Sequence, residues 1–473
     1  MVGAVERSGS LFYVAFAKEA SLIKDDLLDP IDRLLDAPDL VALVRKAQQK
    51  RRPRSRDMGR PSIAPDRLLR CCALKHIKGW SLRALERELR NGLVYRQFTC
   101  FNADPIPKFS TFSRTFGLLG GDVLEQIHGR IVTQARTARV ATGKRMRTDT
   151  TVTEANIHYP TDSTLLADGV RVLQRSLKRI AAECTAGTVK VVDHARAVKH
   201  RVIEIHRAAK SFKESGRARL VDSYHKLVEV TAAVTRQAEE VGKQVLTGGL
   251  EIVGSVRRVV VESMKLDHFL PLVHRALAQT RARVFDGNRH FGQKIISLFE
   301  EHAEVIRKGK AHKPTEFGRL VRIDQVENGI VSNFAVAVGN PADATQWESA
   351  LKGHQQRFGR APHLATADRG FYSAANEKQA HGLGVKRVAL PARGRLSPTR
   401  RALQKQRWFR QALRWRGGIE PAIATLKHRC GMARAFYKGD RGFQRAVGWS
   451  VIANNLVMVA RFQRRRERQP AAR

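Results

Sequence analysis

From residue 166 to residue 306 apolar side chains recur at helical spacing, as in Val170, Leu173, Leu177 and Ile180, with strand texture on both sides. Upstream, Lys144 to Thr153 (KRMRTDTTVT) is rich in threonine and shows no helical stripe, so it reads as a strand carrying Asp149. Downstream, Leu320 to Gln325 and Ile330 to Val338 flank Asn328-Gly329, a pair that reaches positive φ easily and closes hairpins. A helix over Ala344 to Phe358, a strand ending at Asp368 (HLATAD), a helix over Ser373 to His381 and a strand over Lys386 to Leu390 follow. This succession predicts an α/β unit, a mixed sheet with helices on it, interrupted after its first strand by a long helical insertion.

The flanks are helical. Asp66 to Ile77 is amphipathic, Gly79 breaks it, and Ser81 is placed to cap Leu82 to Arg90. Ser110 is read as the cap of a long further segment bearing Phe112, Phe116, Leu119 and Val123. Helix, short turn and a second helix with Arg83, Arg87 and Arg90 are compatible with a helix-turn-helix, and equally with a bundle whose arginines are only solvated. Two further helical runs, Ile419 to His428 and Phe443 to Arg466, close the chain. The expected division is 1–61, an acidic helical preface (Asp25 to Asp39) and basic arm (Arg45 to Arg60); 62–138, a helical domain; 139–165 with 313–465, the sheet-bearing core; 166–312, the insertion; and 466–473, a basic tail.

Charge narrows the partner. Lys and Arg number 86 against 44 Asp and Glu, a net +42 that would repel itself unless it met a polyanion, and nucleic acid is the obvious one. No apolar run approaches the roughly 18 residues of a membrane span. Met1 to Ala20 lacks a basic-apolar-small leader pattern, and five scattered cysteines (Cys71, Cys72, Cys100, Cys184, Cys430) suggest neither a disulfide framework nor a zinc cluster. The expected place of action is the cytoplasm, at the nucleoid.

In a chain short of acid, three carboxylates occupy special positions: Asp149 on a strand, Asp368 at the end of another, and Glu420 in RWRGGIEPAIATLKHRC. Carboxylate oxygens are hard ligands suited to Mg²⁺ or Mn²⁺, and two such ions can activate a water or 3′-hydroxyl against a phosphodiester. Arg393 to Arg416 is crowded with Arg and Lys and has no acid, which suits a groove leading a polyanion to that site. Arg369 reads as a residue that positions Asp368 or contacts phosphate, and Trp415 as a core side chain or a platform for an unpaired base. Asp162, before Ser163, reads as a helix cap, and Pro421 implies that a helix begins near Glu420, leaving Arg416 on a loop.

The C-terminal block resembles the signature of DDE transposases from bacterial insertion sequences, Tyr-x2-Arg-x3-Glu-x6-Lys. Arg416, Glu420 and Lys427 hold its spacing, and Leu413 stands at the tyrosine position. Ile157 to Ser163 (IHYPTDS), Ala367 to Phe371 (ADRGF) and Val447 to Arg461 (VGWSVIANNLVMVAR) look like the corresponding blocks of the ISNCY group and its relatives in the insertion-sequence-five group. The resemblance spans roughly 58–465 and implies an RNase H-like catalytic core, with Asp149 on its first strand, Asp368 on its fourth and Glu420 on a helix as metal ligands and catalytic residues. It also implies Mg²⁺ or Mn²⁺ as cofactor, and Arg416 and Lys427 holding DNA. The partners it implies are terminal inverted repeats and target DNA, worked on by a homo-oligomer. Two rivals use the same residues: a nuclease of that fold without strand transfer, and an inactive DNA-binding relic.

Overall fold

The computed structural model describes residues 25–51, 62–211, 213–292, 294–307 and 314–468. Met1 to Ala20, most of the basic arm (Arg52, Arg54, Arg56, Arg60) and Arg473 of the tail lie outside them. The chain forms two compact units, one of 1–156 with 306–473, the other of 157–305. No helix among the described residues is long and apolar enough to cross a membrane.

A mixed sheet lies mainly in the first unit: β1 Arg145–Ala155, β2 Glu304–Ile306 at the unit boundary, β3 Glu316–Gln325, β4 Val331–Val336, β5 Leu364–Thr366, β6 Arg387–Ala389 and β7 Arg434–Ala435. The order is β2-β3-β1-β5-β6, with β4 also on β3 and β7 on β1. β1 runs antiparallel to β3 and parallel to β5, and β5 is parallel to β6. The β3–β4 turn is closed by Asn328 at φ 53° and Gly329 at φ 77°, the two positive-φ positions that a tight hairpin needs. The short strand β2 makes Leu364–Thr366 the fifth strand in chain order rather than the fourth, because three residues before the hairpin pair at the sheet edge.

Helices cover both faces. Met146 packs with Trp347, Leu351 and Phe371 on one side, and Val321 and Ile323 pack with Leu426, Phe443 and Val447 on the other. Helices from Leu28–Leu35 to Gly121–Thr137 share an apolar core with the last helix, Gly439–Arg468, through residues such as Leu68, Phe112, Ile127, Trp449 and Leu456. The acidic preface has a structural partner there: buried Arg70 donates to Asp32 at 2.8 Å and to Asp36, so its charge is matched where water cannot reach it. Ser81 caps Leu82–Asn91, its Oγ accepting from Ala84 N at 3.0 Å. Ser110 caps nothing. That helix starts at Phe109 behind Lys108 and stops at Phe116, and the glycines from Gly117 to Gly121 separate it from Gly121–Thr137.

Two buried histidines of this unit make its stability sensitive to acid. His128 Nε2 donates to Val331 O at 2.9 Å and His354 Nε2 to Gly143 O at 3.1 Å, and burial pushes each pKa down to about 4. The unfolded chain binds these protons near pH 6.5, so their contribution is whole above that value and is lost as pH falls towards 4. The expected loss is on the order of 2–3 kcal/mol apiece. Urea midpoints at pH 7.5 and 5 should show it, and a variant His128→Gln should lose less between those two conditions than the parent does.

The second unit is helical: Asp162–Ala181, Ala195–Ala208, Glu214–Thr247 and Val256–Val284 pack around Leu173, Leu177, Leu227, Leu266 and Val273. Asp162 is not the cap of its helix. Thr161 is, accepting from Thr164 N at 3.1 Å, while Asp162 turns inward to Gln279 at 2.9 Å and Arg283 at 3.0 Å. A buried carboxylate takes the donors that satisfy it, and the residue before it is free to cap.

Candidate active site

The pairing of β1 with β5 sets the geometry. Arg145, Met146 and Arg147 lie level with Leu364, Ala365 and Thr366 in parallel register, and two residues further along each chain come Asp149 and Asp368. Neighbouring strands lie about 4.8 Å apart, so Arg147 and Thr366, each two positions before one of the two carboxylates, are backbone neighbours. The alternation of β1 sends Met146, Thr148 and Thr150 to one face and Arg145, Arg147 and Asp149 to the other.

That second face is covered by the helix Arg407–Gly417. The guanidiniums of Arg145 and Arg147 lie over the Trp415 ring, 5.0 and 4.7 Å from its centroid. Arg147 is buried. Its Nε donates to Gln325 Oε1 at 2.7 Å and its Nη1 to the carbonyl of Trp415. Burial, then the charges of Arg145 and Arg416, push its pKa down to about 10, which leaves it protonated at neutral pH. A methyl on Gly418 would meet Arg147 Nη1 at 2.5 Å, so the helix junction comes this close because residue 418 has no side chain.

Arg416 lies in the last turn of that helix, not on a loop. Gly417-Gly418 does not unwind the chain, since Gly418 keeps helical angles (φ −68°, ψ −2°), and the next helix, Ile419–His428, follows at once. Pro421 falls in its first turn, where a missing N–H costs nothing. Across the junction Arg416 Nη2 donates to Glu420 Oε1 at 3.0 Å, and Nη1 stands 3.8 Å from Asp149 Oδ2. One guanidinium thus faces both acids. Asp149 Oδ1 also accepts from Thr150 N at 2.7 Å, while the Glu420 side chain is 65% exposed.

Asp368 caps the turn Arg369–Phe371, with Oδ1 accepting from Gly370 N at 2.7 Å. A further acid, Asp343, comes to the same place. A methyl on Gly370 would meet Asp343 Oδ2 at 2.7 Å and Asp368 Oδ1 at 2.9 Å, and Thr150 Oγ1 donates to Asp343 Oδ1 at 2.7 Å. Sequence reasoning passed over Asp343, because an acid just ahead of a helix reads as a cap. Only the fold shows that it accepts from a β1 threonine.

The remaining candidates are distributed. Lys427 follows Glu420 by about two turns on one helix. Arg369 is exposed, and its carbonyl accepts from Arg393 Nε at 3.1 Å. Arg83 and Arg87 sit exposed on Leu82–Asn91. The guanidinium of Arg83 lies 4.8 Å from the Phe109 ring centroid, and Arg87 pairs with Glu88 at 2.8 Å. Among the described residues no three His, Cys, Asp or Glu side chains converge closely enough to hold a metal ion as they stand. The donor set nevertheless suits a divalent ion: hard oxygens of Asp149 and Glu420 already face one positive group, that of Arg416.

Two family models match the chain in order. Residues 16–117 match the Transposase domain (DUF772), and residues 319–456 match the Transposase DDE domain, a stretch that contains Asp368, Glu420 and Lys427. No curated protein and no solved structure matches. The two models together, with the acids in sequence, place the chain among the DDE transposases of insertion sequences.

Proposed function

We propose that the chain cuts DNA at the ends of its insertion sequence and joins the freed 3′-hydroxyl to target DNA in an RNase H-like core formed by 139–165 and 313–465. The observation that carries this reading is the β1–β5 register, which leads to Asp149 on β1 and to Asp368 two residues past the end of β5, with the helix of Glu420 following. Three antiparallel strands followed by two parallel ones support the fold assignment.

Asp149, Asp368 and Glu420 would hold Mg²⁺, or Mn²⁺ in its place, which when bound would supply Lewis-acid activation of the attacking oxygen and charge stabilisation of the leaving one. The protein's own residues do the rest. Arg416 neutralises Asp149 and Glu420 and can turn its charge to a phosphate. Lys427, Arg369 and the basic run from Arg393 to Arg414 hold the backbone of the DNA, while Arg147 and Trp415 fix the helix that carries Arg416. The helices of 62–138, with Arg83 and Arg87, read the terminal inverted repeats, and 166–312 is an insertion in the core. Two ends must be handled together, so the working form is a homo-oligomer on DNA, acting in the cytoplasm at the nucleoid.

The test uses the purified full chain, Mg²⁺ and linear DNA carrying one element end with its flank. Nicks at a defined end followed by joined products are expected. Cleavage without joining would assign a nuclease instead, and salt-sensitive binding with neither product would assign a DNA-binding relic. Binding itself should weaken with salt on a log–log slope of about 0.9 for each phosphate held, so a slope near zero would contradict the basic groove.

A further inference from the structure

The helix Val256–Val284 of the insertion carries an apolar stripe that its own unit leaves uncovered. Val259, Leu266, Val273 and Ala276 face the helical core, whereas Val256, Val260 and Met264 are 59%, 46% and 65% exposed. Their four-residue spacing puts them on one face, with exposed Val261 beside them. In a chain so rich in charge, an outward row of this kind is unusual.

The charges around the stripe divide into two sets. Arg258, Lys265 and His268 are answered within the unit by Glu183, Glu262 and Glu301. Arg257, next to Val256, and Asp267, about one turn past Met264, are exposed and form no ion pair with any described residue. They are ten positions apart, and Val260 and Met264 lie symmetrically between them.

We propose that this stripe is a self-association surface that receives the same helix of a second copy, antiparallel, about a two-fold axis level with Glu262. Val260 then lies against the partner's Met264 and Arg257 against the partner's Asp267, each contact occurring twice by symmetry. A parallel pairing would set Arg257 against its own copy. DNA suits the face poorly, since valines and a free aspartate do not attract phosphate. The patch is small beside the roughly 800 Å² per partner of a stable interface, so pairing is weak in free solution and strengthened when two copies share one DNA. The inference does not rest on the proposed chemistry.

Sedimentation of the full chain without DNA, from about 1 to about 100 μM, reads it directly. The mass is expected to rise towards that of a dimer, with Val260→Glu weakening association by about tenfold or more. Arg257→Asp and Asp267→Arg should each weaken it severalfold, and the two together should restore it. A chain that stays monomeric throughout, a dimer indifferent to Val260→Glu, or a double charge exchange that fails to restore association would overturn the proposal. All these positions are exposed, and the charge exchange tests the pairing even if Val260→Glu perturbs the fold.

Discussion

Asp368→Asn, and separately Asp149→Asn, should lower end cleavage by at least about 10³-fold while binding of the same DNA stays within about threefold. The substitution removes charge and little else. An asparagine at 368 keeps an oxygen to accept from Gly370 N, so the turn Arg369–Phe371 stays capped. An asparagine at 149 likewise keeps an acceptor for Thr150 N. Single-turnover cleavage with a binding titration separates the two effects, and an Asp368→Asn protein that cuts at the parental rate would remove this residue from the chemistry. Asp343→Asn is the informative comparison. Its bond from Thr150 Oγ1 survives the change, so a loss as large as that at 368 would mean that Asp343 supplies charge to the site, while a small loss leaves it the role of holding β1.

The second large effect lies in the sheet itself. Gly318 on β3 is paired with Glu154 on β1. A methyl there would stand 1.9 Å from Thr153 O and 2.8 Å from Glu154 Cα, both backbone atoms. Neither can rotate away, so β1 and β3 would have to part at the strand that carries Asp149. Gly318→Ala is expected to cost more than about 4 kcal/mol and to leave little soluble protein. Gly242→Ala is the control. It lies within the helix Glu214–Thr247 with open space at its Cβ, and should be neutral or stabilising by up to about 1 kcal/mol. Equal urea midpoints for the parent and Gly318→Ala would contradict the close approach of the two strands.

The strand bearing Asp149, the Asn328-Gly329 hairpin and the helix–strand alternation that follows were legible because local periodicity and turn chemistry are written along the chain. Features that depend on register or on partners were not. Asp343 matters through a bond to Thr150, 193 residues away, which no spacing reveals. Arg416 was expected on a loop because Pro421 implies that a helix begins near Glu420. Here Gly418 stays helical, and its missing side chain admits Arg147 instead. The aspartates of the preface gave no sign that Asp32 and Asp36 neutralise buried Arg70, nor did the apolar periods of the N-terminal helices say that they would pack on the last helix. The glycines of 117–121 were the visible warning that the segment after Phe109 is two helices rather than one.

Asp149, Asp368 and Glu420 are proposed to meet at one cation site. Fe²⁺ in place of Mg²⁺, with ascorbate and peroxide, generates radicals that cut the polypeptide beside the bound ion. On the protein bound to its end DNA, fragments ending close to all three of these residues are expected, and they should disappear together in Asp368→Asn or under excess Mg²⁺. Cuts clustered elsewhere, or cuts near one acid that persist in Asp368→Asn, would contradict a shared site.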